Sequence, residues 1–228
     1  SIEDIKKIKP IINNANLLVR INPMYSESAF EIAEVIDSGA DIIMLPMFKT
    51  ADEVRRFVSC VNNRATTCLL LETSEALCRI DEILDVAGID EVHIGLNDLH
   101  LSLGLDFMFE LMGGDLIEFL AEKIKAKGIP FGVGGVARMC DGMLKGEIII
   151  KEHVRLGSSM VILSRAFKGE GSIKPSNLKA EIQNLHEVVN SAKELTIAEL
   201  LINKSLLKST VIKIVSIIKD KGSKAKSA

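Results

Sequence analysis

Short apolar runs alternate with stretches of helical periodicity along most of this chain, and this alternation restricts the fold more than any other feature. Six runs are predicted to be strands: Leu17–Ile21, Asp41–Leu45, Cys68–Leu71, Glu91–Ile94, Pro130–Val133 and Met160–Leu163. Helices are predicted at Ser1–Asn13, Ser28–Asp37, Ala51–Asn62, Ser74–Asp85, Asp115–Lys127 and Gly146–Leu156. Repeated strand–helix units predict a parallel sheet with right-handed crossovers.

The predicted strands are apolar at nearly every position, as expected when helices cover both faces of a parallel sheet. Glycines at the expected helix C-caps precede four of them: Gly39, Gly88, Gly128 and Gly157. The predicted fold class is therefore α/β, a (β/α)8 barrel of the TIM type. Because such a barrel needs eight strands, we expect either an open sheet or two further strands before Ser1. The edge before Leu17–Ile21 is then expected to be open or covered by another segment or chain.

The strand pattern ends near residue 168, so residues 1–168 are predicted to form the barrel and 169–228 a helical extension with a polar tail. Helical stretches are predicted from Leu178 to about Glu194 and from Ile197 to Ile218. Lysines interrupt the second stretch, which favours an amphipathic packing helix over contact with a membrane. Its apolar stripe predicts packing on a neighbouring subunit, and hence a homo-oligomer.

Composition excludes several classes of function. The formal net charge of −3, the absence of tryptophan and the single tyrosine argue against binding to nucleic acid or anionic lipid. The four cysteines match no zinc-binding spacing, which fits a reducing, cytoplasmic compartment. The charged N-terminal segment does not resemble a signal peptide, and no apolar stretch is long enough to span a membrane.

Two carboxylates, Glu72 and Asp98, each follow the end of an apolar strand. Because all strand ends of a parallel barrel meet at one rim, we expect both residues to converge there. Two carboxylates suit a hard, oxygen-preferring cation such as Mg²⁺ or Mn²⁺. The alternative is that each residue only caps the helix that follows it.

Four sequence stretches together resemble the HpcH/HpaI aldolase and citrate lyase β-subunit family. They are Val19–Pro23, Gly39–Asp41 with Leu45–Met47, Leu71–Thr73, and Ile94–Gly95 with Asn97–Leu99. The resemblance implies a barrel of the phosphoenolpyruvate/pyruvate kind and a metal-dependent carbon–carbon lyase. It implies that Glu72 and Asp98 bind the divalent metal, that Arg20 contacts the oxygens of a 2-oxo acid, and that Asn97 lies in the substrate site. An ion pair from Arg20 to either carboxylate is the structural alternative.

The chain also departs from the family pattern. Leu70 stands where these aldolases usually carry glutamine, and nothing before Leu17 supplies their catalytic His–Asp pair. His100 is the one histidine near the predicted rim and a candidate base, although it equally fits a supporting or surface role. The histidines within a strand or on helices, His93, His153 and His186, are interpreted as structural.

The last two predicted strand ends carry a glycine-rich run with Arg138, and Ser164 with Arg165. Loops at these positions in barrels often bind phosphate, so both arginines are candidates to hold a carboxylate or phosphate. Glycines that merely ease tight packing are the alternative.

The predicted function is that of a metal-dependent aldolase that acts on a 2-oxo acid such as pyruvate, with an aldehyde, through an enolate. A citrate-lyase-like enzyme that acts on an acyl-CoA thioester is the neighbouring alternative, favoured by the Arg20–Asn22 sequence. A catalytically inactive barrel that binds an oxyacid is the alternative from another class, favoured by Leu70 and the absent base.

Overall fold

The computed structural model of the chain describes residues 1–136, 142–164 and 175–226, and in the last range it describes side chains for 178–221. Five parallel strands are β1 Leu18–Arg20, β2 Ile42–Leu45, β3 Thr66–Leu71, β4 Glu91–Gly95 and β5 Phe131–Gly134. Their order in the sheet is β1-β2-β3-β4-β5. The α/β fold class predicted from the alternation is confirmed.

Eleven helices are resolved within these described ranges. They are α1 Ile2–Ile8, α2 Ser28–Asp37, α3 Ala51–Val61, α4 Ser74–Cys78, α5 Ile80–Leu84, α6 Leu96–Ser102, α7 Glu110–Gly113, α8 Leu116–Ala126, α9 Gly146–Leu156, α10 Pro175–Lys193 and α11 Ile197–Lys226. A 3₁₀ turn, Lys9–Ile11, continues α1. The four glycines predicted as helix C-caps all have positive φ angles. Gly39 directly follows the C-cap of α2, and Gly157 is the C-cap of α9. The prediction is wrong for Gly88, because Asp85 caps α5 three residues earlier.

Two predicted elements differ in kind from the structure, and the helix predicted at Ile197–Ile218 continues to Lys226. The single helix predicted for Ser74–Asp85 is wrong, because Arg79 leaves the helical conformation (φ −113°, ψ 20°) and separates α4 from α5. The strand predicted at Met160–Leu163 appears, within the described residues, as two isolated parallel bridges, from Met160 to Gly132 and from Leu163 to Val136.

The chain forms two compact units, of which the first comprises residues 1–95 and 123–131. Its core follows from strands buried on both faces, with β3 buried along all but its first residue. A capping box, in which Thr50 and Glu53 bond reciprocally, begins α3. The outer edge of β1 faces a cavity of about 520 Å³ that is lined by residues of α1, β1 and α2.

The second unit comprises residues 96–122 and 132–228, and its helices α8, α9 and α11 are joined by a partly buried ion network. Arg155 donates to Glu118 at 2.6 Å and makes a bidentate contact with Glu152 at 2.8 and 2.9 Å. Lys204 of α11 pairs with Glu118 and, at 2.8 Å, with Asp115. Since charges so poorly hydrated must be paired, the network fixes where α11 packs.

Helix α11 buries one face and leaves apolar residues on the others. Leu200, Leu207 and Val211 are at most 7% exposed, whereas Ile202 and Ile212 are 69% and 62% exposed. Within the described residues, no helix has the length and apolar character to cross a bilayer. The division into a barrel at 1–168 and an extension at 169–228 stays a prediction.

Candidate metal and substrate site

Glu72 lies immediately after β3, and its side chain is only 3% exposed. Its Oε1 atom accepts a hydrogen bond of 3.2 Å from the backbone N–H of Met47, in the loop after β2. A carboxylate held in this way at the carboxyl end of a parallel strand is positioned where barrel enzymes carry their functional groups.

The loops after β2 and β3 are fastened to each other around Glu72. The Thr73 hydroxyl donates to the carbonyl oxygen of Phe48 at 2.7 Å and accepts from the N–H of Ala76 at 3.2 Å. Lys49, in the loop after β2, and Glu75 of α4 form an ion pair at 2.8 Å. The N-cap of α4 is therefore Thr73, so the alternative in which Glu72 serves only as that cap is wrong.

Gly95, the last residue of β4, leaves the space that the Glu72 side chain occupies. A Cβ atom on Gly95 would lie 3.0 Å from both Cβ and Oε2 of Glu72 and 3.2 Å from Cδ1 of Leu70. The φ angle of Gly95 is not positive, so the residue is small because of this contact and not because of the backbone conformation.

Strand register places Arg20 and Glu72 on one face of the sheet. Arg20 pairs with Met44, and Met44 pairs with Cys68. Side chains alternate along a strand, so Leu70 and Glu72 follow Cys68 on that face. Met44, Cys68 and Leu70 form one buried cluster, as expected for side chains on the same face. The cluster is an apolar layer next to Glu72, on the side towards the amino ends of the strands.

Arg20 ends β1, and its side chain is exposed. It lines the 520 Å³ cavity beside β1, together with Asn22 and Glu31. In the part of the chain that the structure describes, no ion pair or hydrogen bond of the Arg20 side chain is found, so the alternative of an ion pair with Glu72 or Asp98 is not found there. The guanidinium group remains available to an oxyanion.

Asp98, Asn97 and His100 all belong to α6, which continues directly from β4. Asp98 is half-buried in the first turn of the helix and does not precede it, and Asn97 is exposed. His100 is buried, with Nδ1 at 3.2 Å from the carbonyl oxygen of Leu96 in the preceding turn. That contact with its own helix agrees with a supporting role, and its role as a base stays a prediction.

Arg138 and Arg165 lie outside the described residues, so their predicted role in binding a carboxylate or phosphate stays a prediction. The neighbouring glycines do approach other backbone closely. A Cβ atom on Gly135 would lie 3.3 Å from the carbonyl oxygen of Ile162, which supports the packing explanation for this glycine.

The thiol of Cys68 and the imidazole of His93, buried on the amino-terminal side of Glu72 along the strands, are held in their neutral forms. Burial, with a smaller contribution from Glu91, raises the pKa of the Cys68 thiol to about 12. Burial lowers the pKa of His93 to about 4. Burial, and then Asp90, also raises the pKa of Glu91. Neither a thiolate nor an imidazolium is therefore available below Glu72 at neutral pH.

The two predicted ligands, Glu72 and Asp98, offer only carboxylate oxygens, a donor type that suits a hard divalent cation better than zinc. Their role as metal ligands stays a prediction. Among residues 1–136, 142–164 and 178–221, no three Asp, Glu, His or Cys side chains are grouped so that they could hold a metal ion. A site with two protein carboxylates would leave its other coordination positions to substrate and water.

Two residues that contact Glu72 were not identified as functional from the sequence. Met47 supplies a backbone N–H, which has no side-chain signature, although its φ angle of 53° marks an unusual turn. Gly95 was visible only as part of a motif, and its function follows from the register between β3 and β4.

Comparison with known proteins identifies the family. Residues 3–133 match the model of the HpcH/HpaI aldolase/citrate lyase family. A 2-keto-3-deoxy-L-rhamnonate aldolase of Escherichia coli O6:K15:H31 is 32% identical over 137 residues, which cover 46% of this chain and 51% of the relative. The aldolase of the same name from Escherichia coli O1:K1 is 34% identical over 103 residues, which cover 32% of this chain and 39% of the relative.

The chain thus spans about half the length of the curated relatives it matches, or less. Among solved structures, the crystal structure of an HpcH/HpaI aldolase from Desulfitobacterium hafniense DCB-2 is similar, with a TM-score of 0.60. It is 20% identical, and the likeness covers 86% of this chain and 80% of the other, which shows a shared fold of the TIM-barrel type. With the family match over more than half of its residues, the chain belongs to the HpcH/HpaI aldolase/citrate lyase family.

Proposed function

We propose that the protein is a metal-dependent aldolase that makes or breaks the carbon–carbon bond next to the carbonyl group of a 2-oxo acid. The observation that carries the proposal is the position of Glu72. Its carboxylate is buried, accepts a hydrogen bond from the N–H of Met47 and packs closely against Gly95. Arg20 on the same face of the sheet adds a cation without a protein partner among the described residues.

In this proposal Glu72 and Asp98 hold a divalent ion, Mg²⁺ or Mn²⁺, as dependence on a divalent metal is general among these aldolases. When bound, the ion would polarise the keto oxygen of the substrate and make the adjacent carbon more acidic. Glu72 supplies a fixed anionic oxygen, because its hydrogen bond and its contact with Gly95 leave the carboxylate little freedom to turn.

Arg20 is assigned the role of binding a negatively charged oxygen of the substrate or of the enolate. Its planar guanidinium group donates to the carboxylate of the 2-oxo acid, or to the enolate oxygen that develops when the adjacent carbon loses its proton or its aldehyde. Arg138 and Arg165 are further candidates for the distal carboxylate or phosphate of the substrate, with Asn97 beside Asp98. His100 is the candidate base within this chain.

The names of the relatives favour a 2-oxo acid over an acyl-CoA thioester, since both curated relatives are 2-keto acid aldolases. Asn22, which sequence reasoning associated with the acyl-CoA alternative, donates through Nδ2 to Glu31 at 2.9 Å and is engaged within the protein.

The test is exchange of the methyl protons of pyruvate with D₂O, followed by NMR, which needs no knowledge of the aldehyde. We expect exchange that requires added Mg²⁺ or Mn²⁺ and stops with EDTA. Arg20→Ala should slow it about 10²–10³-fold, the usual cost of losing one oxyanion contact. Arg20→Lys, which keeps the charge but loses the planar fork, should also be impaired.

Arg55→Ala is the matched control, because Arg55 is exposed on α3 and pairs only with Asp52 of the same helix among the described residues. It should exchange at the wild-type rate. Exchange that is equally fast in Arg20→Ala or in EDTA would contradict the mechanism. Metal binding without any exchange would favour the oxyacid-binding alternative.

A further inference from the structure

His93 carries a buried polar atom that has no hydrogen-bond partner among the described residues. It lies in the middle of β4, is 3% exposed, and its Nε2 atom has no hydrogen bond within the described chain. Because burial lowers its pKa to about 4, the ring is neutral at pH 7, with one nitrogen as a donor and the other as an acceptor. Buried polar atoms in folded proteins are almost always bonded to protein or to ordered water, so this atom calls for a partner.

The register of the sheet places the His93 side chain next to Glu72, on the side towards the amino ends of the strands. His93 pairs with Leu70 across β3 and β4, and the next residues on the same face are Glu72 and Gly95. The direction of this face is fixed by Gly95, whose Cβ atom would point at Glu72 and Leu70. The imidazole therefore lies one step from the carboxylate towards the amino ends of the strands, level with Leu70, and the apolar side chains of Met44 and Cys68 form the next layer.

We propose that His93 is a positioning residue for Glu72: its Nε2 atom holds a buried water molecule that also hydrogen-bonds the Glu72 carboxylate. Glu72 already accepts the N–H of Met47 on Oε1, and a further hydrogen bond from the His93 side would help to fix the plane of the carboxylate. The inference rests on the proposed role of Glu72 as a metal ligand. In that role, the orientation of the carboxylate affects how tightly the metal binds.

The first test needs no metal. The chain contains four histidines, so ¹⁵N-histidine labelling gives a spectrum simple enough to read each imidazole, and His93→Leu identifies the His93 signals by their loss. Glu72→Met, which removes the acceptor, should shift the Nε2 signal of His93 more than the signals of the other three rings. Glu72→Gln is a second variant that is milder to folding, and it should shift the same signal. Glu82→Met, at an exposed position of α5, is the control and should leave it in place.

The second test measures Mn²⁺ affinity and thermal stability together. His93→Leu should bind Mn²⁺ about 10–100-fold more weakly, the usual effect of losing a hydrogen bond that orients a metal ligand. Its metal-free form should melt at or above the wild-type temperature, because leucine fills the buried position without the cost of desolvating an imidazole. His93→Gln should keep most of the affinity. Leu70→Gln added to His93→Leu should restore part of it, as this residue returns an amide to the paired position on β3.

These outcomes separate the inference from the proposed function. An unchanged His93 signal in both Glu72 variants, or wild-type Mn²⁺ affinity in His93→Leu, would overturn the inference. A purely structural histidine would give the opposite pattern in His93→Leu, with a lower melting temperature and unaltered Mn²⁺ affinity. The wild type could bind no Mn²⁺ through Glu72 while the His93 signal still shifts in the Glu72 variants. The water-mediated contact between His93 and Glu72 would then be supported, and the proposed function would be contradicted.

Discussion

Replacing Gly95 with alanine puts a methyl group into the space that Glu72 occupies. The added Cβ atom would lie 3.0 Å from Cβ and Oε2 of Glu72 and 3.2 Å from Leu70, so these atoms must move by a few tenths of an ångström. Overpacking of this kind costs about 1–3 kcal/mol. For a chain of this size, that cost lowers the melting temperature by about 2–12 °C.

The same displacement should weaken metal binding, because a shift of a few tenths of an ångström uses most of the margin of about 0.5 Å within which functional groups must be held. We expect Gly95→Ala to bind Mn²⁺ about tenfold more weakly, equivalent to about 1.4 kcal/mol. The assay is a Mn²⁺ titration followed by electron paramagnetic resonance, with thermal unfolding of the metal-free protein measured in parallel.

Gly113→Ala is the matched control for this substitution. Its Cβ atom would lie 3.5 Å from Val211, an ordinary contact, and alanine stabilises a helix such as α7 relative to glycine. It should retain both melting temperature and Mn²⁺ affinity. If Gly95→Ala also retained both, the fitted contact between Gly95 and Glu72 would be refuted as the determinant of the site.

Three further predictions concern the second unit. Arg155→Met should cost about 3–5 kcal/mol in chemical unfolding, because it leaves Glu152, 2% exposed, without its cation; a cost below about 1 kcal/mol would contradict the network. Hydrogen bonds from Arg155 and then Lys204 lower the pKa of Glu118 from 4.5 to about 2. The ionised carboxylate therefore stabilises the folded protein above about pH 4.5, and this stabilisation is lost as the pH falls towards 2. The stability advantage of wild type over Glu118→Gln, at most about 3 kcal/mol before solvent screening, should shrink over that range, and an advantage that stays constant would refute this origin. Substituting serine for Ile202 and Ile212 together should reduce the mass measured by light scattering, whereas an unchanged mass would count against α11 as an oligomer contact.

Much of the sheet was predictable because a parallel strand buried on both faces is a short, almost wholly apolar run. The predicted Glu91–Ile94 and the observed Glu91–Gly95 differ by one residue. Helix α2 has the predicted bounds, whereas the break at Arg79 was not predictable, since no glycine or proline marks it. Helices α6 and α7 were also missed, as neither is long enough to show a clear period.

The candidate site was predictable as a set of strand ends and not as a set of contacts. Glu72 could be identified from its position after β3, because a carboxylate that ends an apolar run is conspicuous. Its hydrogen bond with Met47 depends on the shape of a loop, and its contact with Gly95 depends on the register of β3 and β4. The same register changes the interpretation of His93, which the sequence alone presents as an ordinary buried strand residue.

The most direct test of the proposed site is anomalous diffraction from crystals grown with Mn²⁺ and pyruvate. The central claim predicts one strong manganese peak, about 2.0–2.6 Å from a carboxylate oxygen of Glu72 and from one of Asp98. It also predicts that the peak disappears in Glu72→Gln, which removes one anionic ligand. A manganese peak bound to other residues, or one that persists unchanged in Glu72→Gln, would contradict the claim.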